Sequence, residues 1–349
     1  MIVFARSTLA TIVDCLTHVA SDGGRWLPEE KRNRIYPLTA ELLACDVSKR
    51  RQVAKLLACC DGHCGYAAVS ALLECSSERP TIFLPVDTFD PADPWSKVFR
   101  QALAKLKVGG KTLCEVGPGS GVATIELINL STPPAKIVLD ELDPHVLAVT
   151  RLNVETVCQE RLTEFGIELE YLVGDAANVF QWLALQRSHR FDYIIGCIPQ
   201  VPAGGDNLWE WQNMAHEYDD RIHSHFRDWG LGLLYDVQRA GKEVLAADGA
   251  MVFVHSGRVP DAVHRQFHQS LGLKVRRTLI NEMIAHCPTT SLEYLFGHKE
   301  HLLFADREGN KPLTPEDAEC KRQQAIATDP NCHDCGVYHR VLVLETVPN

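Results

Sequence analysis

The spacing of apolar residues divides the chain into a helical front, an alternating middle and a polar stretch before the end. Ala40 to Ala58 repeats apolar positions at helical spacing, and Tyr66 to Leu73 continues in that style, so residues 1–80 are expected to form an N-terminal helical region. Residues 81–100 carry Pro85, Asp87, Phe89, Pro91, Pro94 and Trp95. That mixture predicts a structured loop leading into a helix around Lys97–Leu106. Short apolar runs and helical patterns then alternate. Strands are expected at Thr112–Val116, Lys136–Leu142, Glu170–Val173, Tyr193–Cys197, Met251–His255 and Lys274–Ile284. Helices are expected at Val122–Leu130, from Pro144 onward, and at Asn178–Gln186, Leu231–Leu245 and Asp261–Leu271.

Such βαβ alternation implies an α/β fold, a doubly wound and mostly parallel sheet. The last apolar run, Arg340–Val347, would supply a seventh strand. The expected organisation is a helical region at 1–80 and an α/β domain at 81–284, whose residues 202–235 form a lid insertion. A polar insertion at 285–336 follows, and 337–349 returns as the last strand.

Composition narrows the function classes. Of 349 residues, 46% are hydrophobic and 23% charged, ordinary for a globular chain. No apolar run approaches the roughly 18 residues of a membrane span. Met1 to Leu16 is mildly apolar, but it lacks an early basic cluster and Asp14 interrupts it, so it is expected to be a helix of the mature protein. The net charge is −10, and the densest basic groupings, Lys31-Arg32-Asn33-Arg34 and Lys49-Arg50-Arg51, are short. A small-molecule acceptor is favoured over a phosphate backbone, which calls for a basic face. The 13 cysteines, with no secretory signal, read as reduced thiols and point to the cytoplasm. Cys59-Cys60 with His63-Cys64, and Cys332-His333-Asp334-Cys335 with Cys320 and His339, have ligand-like spacing but no full four-ligand pattern. No metal is expected. His216, His223 and His225 read as polar lid surface, and a homo-oligomer is left open.

The sharpest chemical signal is Cys114-Glu115-Val116-Gly117-Pro118-Gly119-Ser120-Gly121, between a strand and a helix. Its glycines allow a tight turn and close approach of a ligand to the backbone. The spacing is GxGxG, with Val122 where the third glycine of a dinucleotide fingerprint would fall. Glu115 would repel a pyrophosphate, whereas S-adenosylmethionine carries an ammonium and a sulfonium and no phosphate. Glu141, at the end of the second strand, can accept both ribose hydroxyls, and Asp175, at the end of the third, can accept the adenine amino group. Leu142, Ala176 and Cys197 complete the expected cofactor set of Glu115, Gly117, Pro118, Gly119, Gly121, Glu141 and Asp175. Each acid taken alone also reads as the N-cap of the following helix.

With those residues in view, the chain over roughly 81–284 resembles the class I S-adenosylmethionine methyltransferases, which implies a Rossmann-like fold and S-adenosylmethionine as co-substrate. The fourth strand ends in Gly196-Cys197-Ile198-Pro199-Gln200-Val201-Pro202, where amino-methylating relatives hold Asn-Pro-Pro-Tyr. Here Cys197 replaces the Asn and Gln200 the aromatic. That segment is similar to methionine S-methyltransferases, as are Cys64-Gly65-Tyr66-Ala67-Ala68, Leu72-Leu73-Glu74, Ile82-Phe83-Leu84-Pro85, Gly230-Leu231-Gly232-Leu233 and Gly257-Arg258. The chain departs from the plant enzymes in having no long aminotransferase-like extension and in Val201-Pro202-Ala203-Gly204-Gly205. The resemblance implies a stand-alone form acting on L-methionine, of the kind that opens a route to dimethylsulfoniopropionate.

The acceptor site is expected to hold Pro199, Gln200, Tyr66, Tyr235 and Arg258, with Arg258 gripping a carboxylate. Trp209, Trp211, Tyr218, Phe226, Trp229 and Tyr235 would enclose the sulfur. A thioether has a lone pair and no proton to lose, so no general base is needed.

Overall fold

The computed structural model describes residues 39–58, 66–85, 91–186, 189–200, 224–288, 292, 303–309, 311–330, 332 and 334–349. Residues 1–38 and 201–223, the latter holding most of the expected lid at 202–235, lie outside the described residues, and so do Cys59-Cys60, His63-Cys64 and His333.

Helix α1, Val47–Ala58, falls within the stretch Ala40 to Ala58 that was expected to be helical. The helical expectation for Tyr66 to Leu73 is corrected. Tyr66–Ser70 is a strand, β1, paired antiparallel with β2, Thr81–Pro85, from Tyr66 opposite Pro85 to Ser70 opposite Thr81. Tertiary pairing overrides a short and weak local period here. Phe83 is buried with Ala68, Leu152 and residues of α1. The amide of Asn153 accepts the Phe83 N–H (2.7 Å) and donates to the Phe83 carbonyl (2.8 Å), completing β2 from the side.

Helix α2, Pro94–Leu103, opens at Asp93, whose carboxylate accepts the Trp95 N–H. The alternating core follows as β3 (Thr112–Val116), α3 (Val122–Ile128), β4 (Lys136–Glu141), α4 (Pro144–Phe165), β5 (Glu168–Val173), α5 (Ala176–Gln186) and β6 (Phe191–Gly196). After α6 (Ser224–Arg227) come α7 (Gly232–Gly241), β7 (Leu245–Ser256), α8 (Asp261–Leu271) and β8 (Leu273–Ala285). Leu245, expected at the end of a helix, instead starts β7 after a single tight turn at Lys242–Val244. The chain closes with β9 (Phe304–Ala305), β10 (Pro312–Leu313), α9 (Pro315–Thr328) and β11 (Tyr338–Pro348).

Across the main sheet the strands run β10, β9, β11, β7, β6, β3, β4, β5, with β8 also paired to β11. The five strands β3 to β7 are parallel to one another. Strand β11 enters antiparallel between β7 and β8. This is the expected Rossmann-like, doubly wound sheet of seven strands, β3 to β8 and β11. Among the described residues the count is corrected to nine, because the insertion adds β9 and β10, which pair with each other, β9 also pairing with the start of β11. The insertion also holds α9, whose start was readable: Thr314 accepts the Asp317 N–H (3.1 Å), Pro315 occupies the first turn, and Glu316 follows.

Apolar side chains fill both faces of the sheet. One core joins Leu113, Ile137 and Leu139 to α2, α3 and α4; the other joins Cys114, Val116 and Val138 to α5, α7 and α8. The chain leaves β3 toward β4 and β5, then crosses back to β6 and β7. Such a reversal opens a crevice at the carboxyl ends of the central strands. Among the described residues no helix is long and apolar enough to cross a membrane.

Candidate active site

The turn from Gly117 to Gly121 lies at that crevice, between β3 and α3. Gly121 has φ +77°, and a Cβ there would lie 3.0 Å from Val154 Cγ2 and 3.1 Å from Thr150 Cγ2. The turn is pinned from α4. Thr150 Oγ1 donates to the Gly119 carbonyl at 2.6 Å, and Asn153 Nδ2 donates to the Ser120 carbonyl at 2.9 Å. Asn153 thus joins the glycine turn to β2. Sequence reasoning missed Thr150 and Asn153, although their mark was visible as polar residues on the apolar stripe of α4. Pro118 is buried in the turn, and Gly117 donates its N–H to the Asp140 carbonyl at 2.9 Å.

The acids differ in how they are held. Glu115 is buried and accepts a hydrogen bond from Thr124 Oγ1, a third residue missed in the sequence. Burial pushes its carboxyl up to about 7, against the pull of the Thr124 bond. Glu141 accepts the Leu142 N–H (2.9 Å) and the Asp143 N–H (3.4 Å) on Oε1, and the Gly119 N–H (3.4 Å) on Oε2. Burial raises it to about 6 while these donors favour the ionised form. Glu141 therefore remains mostly a carboxylate at neutral pH, locked between the glycine turn and the start of α4. Leu142 beside it is exposed.

Asp140, one residue earlier, shares the opposite face of β4 with Val138. Its carboxyl is buried with neither oxygen partnered, and burial pushes it up to about 8. Of these two neighbours, Glu141 is the carboxylate held in place by backbone N–H groups. The helix-cap reading holds for Asp143, which accepts the His145 N–H at 2.7 Å. Asp175 likewise accepts the Asn178 N–H at 3.0 Å at the start of α5, and it is exposed at the crevice. Ala176 is buried behind it.

On the other side of the crevice, Gly196 closes β6 where a Cβ would lie 2.8 Å from Phe253 Cε1. Cys197 and Pro199 are half-buried, and Ile198 packs into the core. Gln200 is buried, with Nε2 donating to the Val254 carbonyl (2.7 Å) and Oε1 accepting the Ser256 N–H (2.9 Å). It clamps the turn after β6 to the end of β7.

Arg258 is buried just past β7. Its Nε donates to Ser256 Oγ (2.9 Å), and its guanidinium lies 5.5 Å from the centre of the Trp95 ring. Tyr235 stacks on Phe226 (5.3 Å between ring centres) and meets Phe267 edge-on, so these two members of the expected aromatic ring belong to the core beneath the crevice. Tyr66 begins β1, away from the main sheet in pairing. Trp209, Trp211 and Tyr218 lie outside the described residues.

No family model matches the chain. It is similar to two plant methionine S-methyltransferases. The Arabidopsis thaliana protein is 24% identical over 219 residues, covering 56% of this chain and 19% of that protein. The Zea mays protein is 23% identical over 261 residues, covering 68% of this chain and 23% of that protein. The chain therefore spans about a fifth of the length of these relatives. Among solved structures it is similar to a SAM-dependent methyltransferase from Thiobacillus denitrificans in complex with S-adenosyl-L-homocysteine. The TM-score there is 0.35 at 12% identity, covering 74% of this chain and 93% of that one.

Proposed function

We propose that this chain, an S-adenosylmethionine-dependent methyltransferase of class I, transfers the methyl group to the thioether sulfur of L-methionine. The products are S-methyl-L-methionine and S-adenosylhomocysteine. The observation that carries the reading is the use of the turn at 197–200. Amine-methylating relatives hold the acceptor nitrogen there, whereas both ends of the Gln200 amide bond the β7 backbone. A thioether needs no such clamp. The local similarity to the plant methionine S-methyltransferases supports the same acceptor.

Glu141 would take the ribose hydroxyls, Asp175 the adenine amino group, and the Gly117–Gly121 turn the methionyl part of the cofactor. Leu142, Ala176 and Cys197 would border the adenine. The acceptor sulfur attacks the methyl carbon in line as the bond to the cofactor's sulfonium breaks, and positive charge passes from one sulfur to the other. No proton moves. Proximity and alignment can contribute roughly 7–11 kcal/mol to such a step. Gln200 would act by fixing Pro199 and Cys197 against β7, and Arg258 by holding the substrate carboxylate.

The test is product mass from purified enzyme, S-adenosylmethionine and a panel of L-methionine, other thioethers and a glutamine peptide. S-methylmethionine is the expected product. Methylation of the glutamine peptide without any S-methylmethionine would overturn the acceptor and leave the methyltransferase reading standing.

A further inference from the structure

Two distant segments converge on the indole of Trp95, in the first turn of α2. Asp93 caps α2 by accepting the Trp95 N–H at 2.8 Å, and both residues are half-buried. The Arg258 guanidinium lies 5.5 Å from the ring centre. The His339 ring, on β11, lies 5.5 Å from it centre to centre, tilted by 38°. The sheet dictates this meeting. Val341 pairs with Ser256, and Gly257 donates to the Arg340 carbonyl at 2.8 Å, so the antiparallel register carries His339 to the level of Arg258. A Cβ on Gly257 would stand 2.5 Å from that carbonyl oxygen, so only glycine lets β11 come this close.

His339 has 2% of its surface exposed, and neither ring nitrogen has a hydrogen-bond partner. Its other ring neighbours are His286 and Phe304, each 6.2 Å away between ring centres. A buried imidazole left unsatisfied is costly. Burial, Arg258 and His286 all hold it well below the usual histidine range, so it stays neutral and has one N–H to donate. Burial pushes the Cys197 thiol up, and the Asp93 carboxylate adds to this ahead of Glu115, so negative charge stands near the end of β6. The Arg258 guanidinium and the unpartnered His339 ring stand past the end of β7.

We infer that Asp93, Trp95, Arg258 and His339 form a subsite for a zwitterionic amino acid, with Arg258 and His339 on its carboxylate, Asp93 on its ammonium and Trp95 as the apolar wall. This rests on the amino-acid acceptor proposed above and adds Asp93, Trp95 and His339 to it. The carboxylate supplies the acceptor that the His339 N–H lacks. The arrangement binds thioethers carrying only one of the two charges more weakly than the zwitterion.

Two substitutions keep the fold and remove the chemistry. Asp93→Asn keeps an N-cap of equal quality and deletes the charge. His339→Phe keeps a ring in the aromatic cluster and deletes the N–H. The measurements are kinetics on L-methionine, inhibition by 3-(methylthio)propanoate and 3-(methylthio)propylamine, and calorimetric binding of S-adenosylhomocysteine and L-methionine. Asp93→Asn should raise KM for methionine about tenfold or more and weaken the amine, but not the propanoate. His339→Phe should raise KM for methionine about three- to tenfold and weaken the propanoate, but not the amine. These magnitudes follow from loss of one charged or one neutral hydrogen bond. S-adenosylhomocysteine affinity should stay within about twofold. Equal weakening of all three thioethers, or normal methionine kinetics in both variants, overturns the subsite alone. A parent enzyme that neither binds nor methylates L-methionine overturns both the subsite and the acceptor reading.

Discussion

The carboxyl ends of β3, β4 and β5 and the carboxyl ends of β6 and β7 form two halves of one crevice, and they are assembled by different means. In the first half the key contacts are nearly local. Glu141 is held by the N–H groups of the next two residues and by Gly119, and Asp175 by a residue three positions on. In the second half the contacts span the chain. Gln200 bonds Val254 and Ser256, Arg258 reaches Trp95, and His339 reaches Trp95 from near the C-terminus. A half built from short-range turns suits a cofactor with fixed parts. A half assembled from distant segments is where a family can change its acceptor while the sheet stays the same.

The sharpest way to break this contrast is Arg258→Ala. If Arg258 grips the acceptor carboxylate, kcat/KM on methionine should fall by about 2–4 kcal/mol in transition-state terms, with cofactor affinity nearly intact. Parallel loss of S-adenosylhomocysteine binding in calorimetry would show that the two halves are not separable.

Beneath the second half lies a buried group of His255, His264 and His268, with ring centres 5.4 Å (His255 to His264) and 5.2 Å (His255 to His268) apart. Burial, with His264 adding to it, holds His268 at about 4 rather than the usual 6.5. The unfolded chain therefore takes up its proton first. The stability due to neutral His268 is intact above about pH 6.5 and is lost as pH falls from there toward 4. The loss is on the order of 3 kcal/mol by the lower limit. Urea unfolding between pH 4 and 7 should show this limb in the parent and a shallower one in His268→Phe. The same slope in both proteins would remove the histidine group as its source.

Within the first half, Glu141→Ala should weaken S-adenosylmethionine by about 1–3 kcal/mol, and Asp175→Ala by less because its carboxylate is exposed. Asp140→Asn, one residue away on the other face of β4, should leave that affinity unchanged. Calorimetry in which Asp140→Asn behaves like Glu141→Ala would overturn the assignment of faces. The smallest expected effect is none at all: with saturating substrates the maximal rate on a thioether should be flat from about pH 6.5 to 9. A steep rise or a bell would point to a proton-bearing acceptor and so to a different second half.

The residues themselves determined much of this molecule. The periods of apolar residues located β3 to β8 and β11, most clearly where a strand buries a nearly continuous run, as in β3, β4, β7 and β11, and less so in β5 and β8. The GxGxG turn and the acids Glu115, Glu141 and Asp175 were legible because residue type and spacing mark them, although Thr150 and Asn153 of α4 pin the turn and Gly119 reaches Glu141. Tyr66–Ser70 was misread as helix because its extended state comes from pairing with Thr81–Pro85, and no local pattern encodes a partner strand. The tertiary structure alone decided that Glu141 and not Asp140 is the oriented carboxylate, that Gln200 serves the backbone of β7, and that Arg258 and His339 meet on Trp95. Those outcomes follow from which strand lies beside which, and sheet order is a property of long-range packing on which spacing along one chain is silent.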